Sequence, residues 1–217
     1  MNARTNPQIE NSVNTARRNT RRDELARETR GALITAARTA FVRRGYGHTS
    51  LDEIAEDVGL TKGAVYHHFA SKKDLFRAVV HQVQLELGER VGAKHPRSIE
   101  GDVWPRFGEL IAGFLDGTTN PDVRQILLVD GPKVLGWEEW RTVETQYATN
   151  FIETYIATAL KRGEIPALSP AVLAQFFVAL MEEAGRMMVA PAATPARRQE
   201  IVATLATLTE RLRTPTE

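Results

Sequence analysis

Apolar residues recur along this chain at the three- and four-residue spacing of α-helices. The first clear stripe consists of Leu33, Ile34, Ala37 and Phe41, and similar stripes return as far as Leu212. No stretch alternates between apolar and polar residues as a half-buried strand does, and no Asn-Gly or Asp-Gly pair joins two strand-like runs. The pattern therefore predicts an all-α fold of about nine helices.

Capping residues and glycines mark where these helices begin and end. Ser50 and Glu53 have the spacing of a capping box, in which each side chain bonds a backbone amide near the helix start. Ser169-Pro170 and Thr194-Pro195 each place a capping hydroxyl before a first-turn proline. Gly163 follows a long helical pattern and predicts its end.

The segment from residue 51 to 69 predicts two short helices joined by a tight turn. Ala55 supplies the small side chain that is needed where two such helices cross, and Gly59 accepts the positive φ of the turn. Ile54, Val58 and Val65 can fill the small core beneath them. This order and spacing favours a helix-turn-helix, although an ordinary helical hairpin within a bundle is the alternative.

Charge is distributed unevenly, although the net charge is only +1. Residues 1–80 hold 14 basic and 9 acidic side chains, whereas residues 81–217 hold 14 and 18. A basic N-terminal part suggests contact with a polyanion. Residues 1–20 have almost nothing to bury and predict a disordered arm. Its end is basic, and Arg22 is a candidate contact in a DNA minor groove.

Composition and motifs exclude several classes of protein. The chain of 217 residues has no cysteine, which excludes disulfides and thiolate sites. It shows no nucleophile elbow, no phosphate-binding P-loop and no HExxH zinc motif. The five histidines have no metal-site spacing with carboxylates. We therefore expect no catalytic residues, no metal and no cofactor.

Targeting signals give a further expectation. No apolar run approaches the roughly 20 residues of a membrane-spanning helix. The N-terminal 12 residues lack the apolar core of a secretory signal. We expect a cytoplasmic protein without a membrane partner. A helical enzyme or an interaction module that does not bind DNA is the alternative, and the basic N-terminal part argues against it.

Residues 36–80 resemble the DNA-binding domain of TetR/AcrR-type transcriptional regulators. The resemblance covers about a fifth of the chain. It rests on Phe41, Gly45-Tyr46, Thr49-Ser50, Ile54-Ala55, Val58-Gly59, Lys62-Gly63, Tyr66, Phe69 and Lys72-Lys73-Asp74-Leu75. It implies a homodimeric regulator, more often a repressor, with an inducer site in the C-terminal part. The expected domains are the arm (1–20), a three-helix helix-turn-helix domain (21–80) and a larger helical domain for ligand binding and dimerisation (81–217).

The second short helix, at residues 62–69, is expected to enter the major groove with its N-terminal part toward the bases. Phe69 follows Val65 by four residues and belongs to the core, so the other side of this helix faces the DNA. Small residues there permit close approach, and an alanine can touch a thymine methyl. The candidate contacts on this helix are Lys62, Gly63, Ala64, Tyr66 and His67.

Phosphate contacts are expected around the same helix. By resemblance to the family, Tyr66 and Lys73 hold phosphates, and Thr49 does so from the start of the preceding helix. Backbone amides near Ser50 suit an anion because they lie at a helix start. The role of Lys72 stays open between phosphate contact and a solvated charge.

The C-terminal part holds aromatic stripes whose default interpretation is core packing. The family resemblance implies a pocket among these helices for an inducer that is apolar or aromatic. A buried Glu144 would suit a cationic ligand, but an ion pair or a solvent-facing position is the favoured alternative for that side chain. The candidate ligand-binding residues are Trp104, Phe107, Ile111, Trp140, Glu144, Tyr147, Phe151 and Phe176.

The last two helices carry apolar stripes that are too rich for one-sided packing. The resemblance implies that they pair with a second copy across a two-fold axis, which would give a near-palindromic operator. The candidate interface residues are Leu173, Phe177, Leu180, Ala184, Ile201, Leu205, Leu208 and Leu212.

Overall fold

A computed structural model describes residues 7–93, 101–190 and 193–214, without the side chains of residues 7–20, 93 and 144. The described residues form helices and no strand, which confirms the all-α prediction. No helix among them is long and apolar enough to cross a membrane. The helices are α1 (Pro7–Arg44), α2 (Leu51–Asp57), α3 (Lys62–His68), α4 (Lys72–Ala93), α5 (Val103–Gly117), α6 (Gly131–Leu135), α7 (Trp137–Glu144), α8 (Asn150–Lys161), α9 (Pro170–Val189) and α10 (Pro195–Arg211).

Two π-helical segments join some of these helices into longer rods. Val123–Asp130 runs directly into α6, and Thr145–Thr149 links α7 to α8. Gly136, with φ of +84°, separates the two rods. Counted as continuous rods, the described residues contain nine helices, as the sequence predicts.

Helix α1 begins at Pro7, so most of the segment predicted to be disordered is helical. Between Gln8 and Arg30 the sequence has no glycine or proline to interrupt a helix, and Pro7 itself suits a first turn. Residues 21–28, which follow the predicted arm, are all exposed. Residues 1–6 lie outside the described residues.

The N-terminal domain, residues 7–80, is built around an aromatic cluster. Phe41 of α1 and Phe76 of α4 are fully buried, and their ring centroids are 5.3 Å apart. Tyr46 packs on both rings. Gly45, with φ of +77°, ends α1 and lets the chain turn toward α2.

Helix α4 belongs to both domains. Its first half buries Leu75, Phe76 and Val79 in the N-terminal domain, and its second half buries Leu87 and Val91 against the C-terminal domain, residues 81–214. A side chain at Gly117 of α5 would come within 2.6 Å of Leu87, so α5 and α4 approach closely there. The core therefore runs without a break from one domain to the other.

Polar contacts reinforce the junction between the domains. Arg38 of α1 pairs with Glu86 of α4 at 2.7 Å and with Asp122, which precedes the first π-helical segment. Asp130 accepts hydrogen bonds from the backbone amide of Tyr46 at 2.9 Å and from the side chain of Gln125 at 3.0 Å. These contacts tie α1 and the following turn to the C-terminal domain.

Candidate nucleic-acid interface and ligand cavity

The predicted helix-turn-helix is present. The hydroxyl of Ser50 accepts from the amide of Glu53 at 3.2 Å while the Glu53 carboxylate accepts from the Ser50 amide at 3.0 Å, which completes the capping box of α2. Gly59 has φ of +67°, and Ala55 is buried at the crossing with α3. The hydrogen bonds of Ser50 to Glu53 also lower the pKa of Glu53.

Helix α3 has one buried side and one exposed side. Val65 and the following Phe69 are buried, and the guanidinium of Arg30 lies 4.7 Å from the Phe69 ring centroid. Thr61 caps the helix by accepting from the amide of Ala64 at 3.3 Å. The outer side is accessible: Ala64 is half-buried, and the exposed candidates are Lys62, Gly63, Tyr66 and His67.

Lys62 is held but remains accessible. Its ammonium donates to Asp52 at 2.9 Å, and this hydrogen bond raises the pKa of Lys62. Both side chains are more than half exposed, and such surface pairs are weak because water screens them. The ion pair therefore does not prevent Lys62 from contacting DNA.

Two of the expected phosphate contacts have other partners in this structure. Thr49 is buried, and its hydroxyl donates to the backbone oxygen of Gly45 at 2.9 Å, so it satisfies a carbonyl that the end of α1 leaves unpaired. Lys73 donates to the backbone oxygen of Leu135 at 3.1 Å and pairs with Glu139 at 2.9 Å. The sequence could not indicate the partners of Lys73, because they lie more than 60 residues away along the chain.

Lys72, whose role the sequence leaves open, stabilises the turn between α1 and α2. Its ammonium donates to the backbone oxygens of Tyr46 and Thr49, both at 2.9 Å, and lies 4.2 Å from the Tyr46 ring centroid. Arg22 is exposed on α1, as a DNA contact requires.

A cavity of about 720 Å³ lies in the C-terminal domain. Its walls come from α4, α5, α8 and the π-helical segment before α8, with Met181 of α9 at one side. Of the candidates, Tyr147 and Phe151 line this cavity, and Trp140 borders a small extension of it. The side chain of Glu144 lies outside the described residues.

The other aromatic candidates do not line the cavity. Trp104 and Phe107 are buried against Phe177 of α9, with the Phe107 and Phe177 ring centroids 4.8 Å apart. Ile111 is likewise buried and does not line the cavity. Phe176 is 62% exposed on the outer side of α9. A helical stripe in the sequence does not reveal whether it borders a cavity, so the ligand-binding role of these four residues stays a prediction.

Tyr147 connects the cavity to α4. A hydrogen bond of 2.8 Å joins its hydroxyl to Nδ1 of His81. Burial raises the pKa of Tyr147 and lowers the pKa of His81, so both groups favour the neutral form. In the same helical rod, Glu139 accepts from Arg77 of α4 as well as pairing with Lys73. The hydrogen bond from Arg77 lowers the pKa of Glu139.

An exposed apolar surface covers α9 and α10. Phe177 is buried within its own chain, whereas Ala184, Ile201 and Leu205, also largely buried, line a surface groove between α9 and α10 beside Leu180 and Leu208. Leu173 and Leu212 are half-buried. The sequence analysis missed Val172 and assigned Phe176 to the ligand, although residues 172, 176 and 180 repeat every four positions. The exposed members, here called the α9–α10 face, are Val172, Phe176, Leu180 and Leu208.

Comparisons with known proteins agree with this architecture. Residues 33–79 match the domain described as bacterial regulatory proteins, tetR family, and residues 104–212 match the domain described as tetracyclin repressor-like, C-terminal domain. A transcriptional regulator of the TetR family from Pectobacterium atrosepticum has a similar structure, with a TM-score of 0.76 and 29% identity. The match covers 89% of this chain and 98% of that one.

Two curated proteins are also similar in sequence. The TetC protein of transposon Tn10 from Escherichia coli is 26% identical over 150 residues, which cover 69% of this chain and 75% of TetC. The transcriptional regulator AcrR from Shigella flexneri is 32% identical over 103 residues. That alignment covers 48% of this chain and 47% of AcrR, about half the length of each.

Proposed function

This chain belongs to the tetR family of bacterial regulatory proteins and is a transcriptional regulator, not an enzyme, and on this premise we propose its specific role. It is a cytoplasmic repressor that binds a near-palindromic operator as a homodimer and leaves the operator when a small molecule occupies the cavity. The exposed outer side of α3 within a helix-turn-helix is the observation that carries this proposal.

In the proposed complex α3 lies in the major groove. Lys62, Tyr66 and His67 project from its exposed side, and Gly63 adds no side chain that would hold the helix away from the bases. Lysine is a common partner of guanine in the major groove. Because α2 packs behind α3, the Ser50 end of α2 then lies toward the phosphate backbone, while Arg22 on the exposed part of α1 adds attraction to phosphate.

The α9–α10 face supports the homodimer. Phe176, Leu180 and Leu208 are large apolar side chains that one chain leaves in water, and a two-fold axis would bury the same surface on both copies. Two α3 helices would then enter successive major grooves about 34–36 Å apart. An operator with two inverted half-sites follows from that symmetry.

Release by a ligand follows from the connections between the cavity and α4. Tyr147 lines the cavity and bonds His81 of α4, and Glu139 of the same rod pairs with Lys73 and Arg77 at the beginning of α4. A ligand that binds better to one position of this rod shifts the population of α4 positions. The separation of the two α3 helices changes with it, and operator affinity falls by no more than the ligand's differential affinity for the two states.

The test is selection of bound duplexes from a random pool, repeated at several salt concentrations. We expect an inverted repeat to be enriched and to be retained by a dimer. Lys62→Ala should change the preferred base at one position in each half-site, whereas Arg22→Ala should weaken all duplexes alike and reduce the salt dependence by about one ion. Recovery of no enriched sequence at low salt would contradict the proposal.

A further inference from the structure

Two glycines of α4 form part of the cavity wall without any local reason to be glycine. Gly88 and Gly92 line the cavity and lie one helical turn apart. Neither has a positive φ, and a β-carbon built at either meets no atom within 4 Å. By contrast, a β-carbon at Gly117 or Gly131 would clash with a neighbour. Glycine weakens a helix relative to alanine, and at Gly88 and Gly92 its effect on the cavity is to leave the wall without side chains.

The rest of the cavity supplies aromatic rings. Gly88 and Gly92 together are called the Gly88–Gly92 strip. The cavity beside it is also lined by Phe114 of α5, Tyr147 of the π-helical segment before α8, and Phe151 of α8. A flat, rigid ring system suits this space. One of its faces can contact the helix backbone at the glycines, and the other can contact the aromatic rings. The volume of about 720 Å³ lies within the range of small-molecule sites.

The charges around the cavity restrict the ligand further. Among the described lining residues of the cavity and its extension, the ionisable acids are Glu89 and Glu182, and none of the lining side chains is lysine, arginine or histidine. Glu182 has its own partner in Arg186 at 4.0 Å. An anionic ligand would therefore lose its hydration without gaining a counter-ion, whereas a cation can interact with the ring faces and with Glu89.

One hydrogen-bonding position completes the site. Tyr147 and Gln84 both line the cavity, and a hydrogen bond of 2.8 Å to His81 Nδ1 fixes the position of the Tyr147 hydroxyl. We infer that the cavity takes a flat aromatic molecule that carries no negative charge, seated against the Gly88–Gly92 strip and the rings of Phe114, Tyr147 and Phe151. This inference deepens the proposed function and rests on it for the ligand's regulatory effect.

The test uses three fluorescent probes with the same ring system and different charge. These are 9-(aminomethyl)anthracene, a cation at pH 7, 9-anthracenemethanol, which is neutral, and 9-anthracenecarboxylate, an anion. Binding to the full chain is measured by fluorescence titration. We expect the cation and the neutral probe to bind. The affinity for the carboxylate should be lower by about tenfold or more, because its charge has no partner. Equal binding of all three, or binding of none, would overturn the inference.

Variants test the glycine strip itself. Gly88→Leu and Gly92→Leu should each weaken the neutral probe by about tenfold or more, because the new side chain fills the slot. Gly31→Leu is the matched control, since Gly31 is also helical with open space around it but lies on α1 away from the cavity. It should bind the probe as the unchanged chain does, and thermal unfolding of all three variants checks that the fold persists. Unchanged probe binding in both cavity variants would contradict the inference that the ligand lies against the Gly88–Gly92 strip.

The same samples separate this inference from the proposed function. Operator binding is measured with the selected duplex in the absence and presence of the neutral probe. If the probes behave as expected but the chain enriches no duplex, the slot stands and the proposed regulator fails. If an operator is enriched but no probe binds, the slot fails and the regulator stands.

Discussion

The two domains differ in what their surfaces leave unsatisfied. In the N-terminal domain Phe41 and Phe76 are fully buried and Tyr46 is partly buried, while the exposed side of α3 carries Lys62, Tyr66 and His67. The C-terminal domain contains a large cavity and leaves Phe176 and Leu180 in water. Unfilled space and exposed apolar surface both cost stability until something covers them. Contacts with a second copy or with a ligand would cover these parts of the C-terminal domain, as the proposed function requires.

This difference has a consequence for how the domains communicate. The close packing of Phe41, Phe76 and Tyr46 favours movement of the N-terminal domain as one unit. In the proposed mechanism a ligand shifts the population of the C-terminal domain between two packings around its cavity. Helix α4 would transmit this change to the N-terminal domain, since its first half is buried in that domain and its second half lines the cavity.

The largest expected effect is a loss of stability when an aromatic ring is removed from the N-terminal core. Phe41→Ala should reduce the free energy of unfolding by about 3–5 kcal/mol, because a fully buried ring leaves a cavity that the packed domain cannot collapse. All three tryptophans, Trp104, Trp137 and Trp140, lie in the C-terminal domain. Their fluorescence therefore reports that domain in a denaturant titration, while circular dichroism reports both.

Coincident transitions in Phe41→Ala would mean that α4 couples the domains into one folding unit. A loss seen by circular dichroism before the fluorescence changes would mean that the N-terminal domain unfolds separately. Tyr66→Ala is the control, because Tyr66 is about half exposed and its removal should change stability by about 0.5 kcal/mol or less. A similar large loss in Tyr66→Ala would contradict the assignment of an exposed α3 face.

The second effect concerns the exposed apolar surface. Phe176→Asp should weaken dimerisation by about 2 kcal/mol or more, because an aromatic side chain at the centre of an interface contributes most of its energy. Sedimentation velocity measures the shift toward monomer, and operator affinity should fall with it. Leu25→Asp is the matched control, since Leu25 is also about half exposed but lies on α1. Monomerisation by Leu25→Asp but not by Phe176→Asp would place the interface elsewhere.

The N-terminal domain was predictable because its signals are local. The Ser50–Glu53 capping box, the small Ala55 and the turn at Gly59 are each decided by residues within a few positions along the chain, and the structure confirms all three. Its long-range partners were not predictable. Lys73 bonds the backbone oxygen of Leu135, 62 residues away in the C-terminal domain.

In the C-terminal domain the helices were predictable but the roles of neighbouring side chains were not. Phe176 and Phe177 are adjacent, and both fit an apolar stripe, yet Phe177 is buried and Phe176 is exposed. The positions of adjacent residues on a helix differ by about 100°, and the neighbouring helices decide which of the two is buried. The cavity depends on the same packing, so Trp104 and Tyr147 looked equivalent in sequence although only Tyr147 lines it.

A smaller effect should follow from weakening the link between cavity and α4. Glu139→Gln keeps the shape of the side chain but removes the charge that pairs with Lys73 and Arg77. We expect the coupling free energy between ligand binding and operator binding to fall by about 0.5–2 kcal/mol. The affinity for the ligand alone should stay nearly unchanged. Operator titrations with and without ligand measure this coupling. Glu138→Gln is the control, because Glu138 is an exposed neighbour. Equal coupling in both variants would contradict a role for this rod.

The smallest effect is a pH dependence that separates the two domains. Burial is the main cause that lowers the pKa of His81, and the charge of Arg77 lowers it further while Glu139 opposes this. Because the folded form binds its proton less readily than the unfolded form, His81 stabilises the fold fully above about pH 6.5 and loses that contribution as the pH falls. Burial also lowers the pKa of His68 at the end of α3.

Replacing each histidine with glutamine distinguishes their contributions. His81→Gln should reduce the loss of stability between pH 7.5 and pH 5, as measured by tryptophan fluorescence, which reports the C-terminal domain. His68→Gln should reduce the loss seen by circular dichroism but leave the fluorescence transition unchanged if the N-terminal domain can unfold separately. If Phe41→Ala shows instead that both domains unfold together, either replacement must change both signals. A fluorescence transition with the original pH dependence in His81→Gln would exclude His81 as its source.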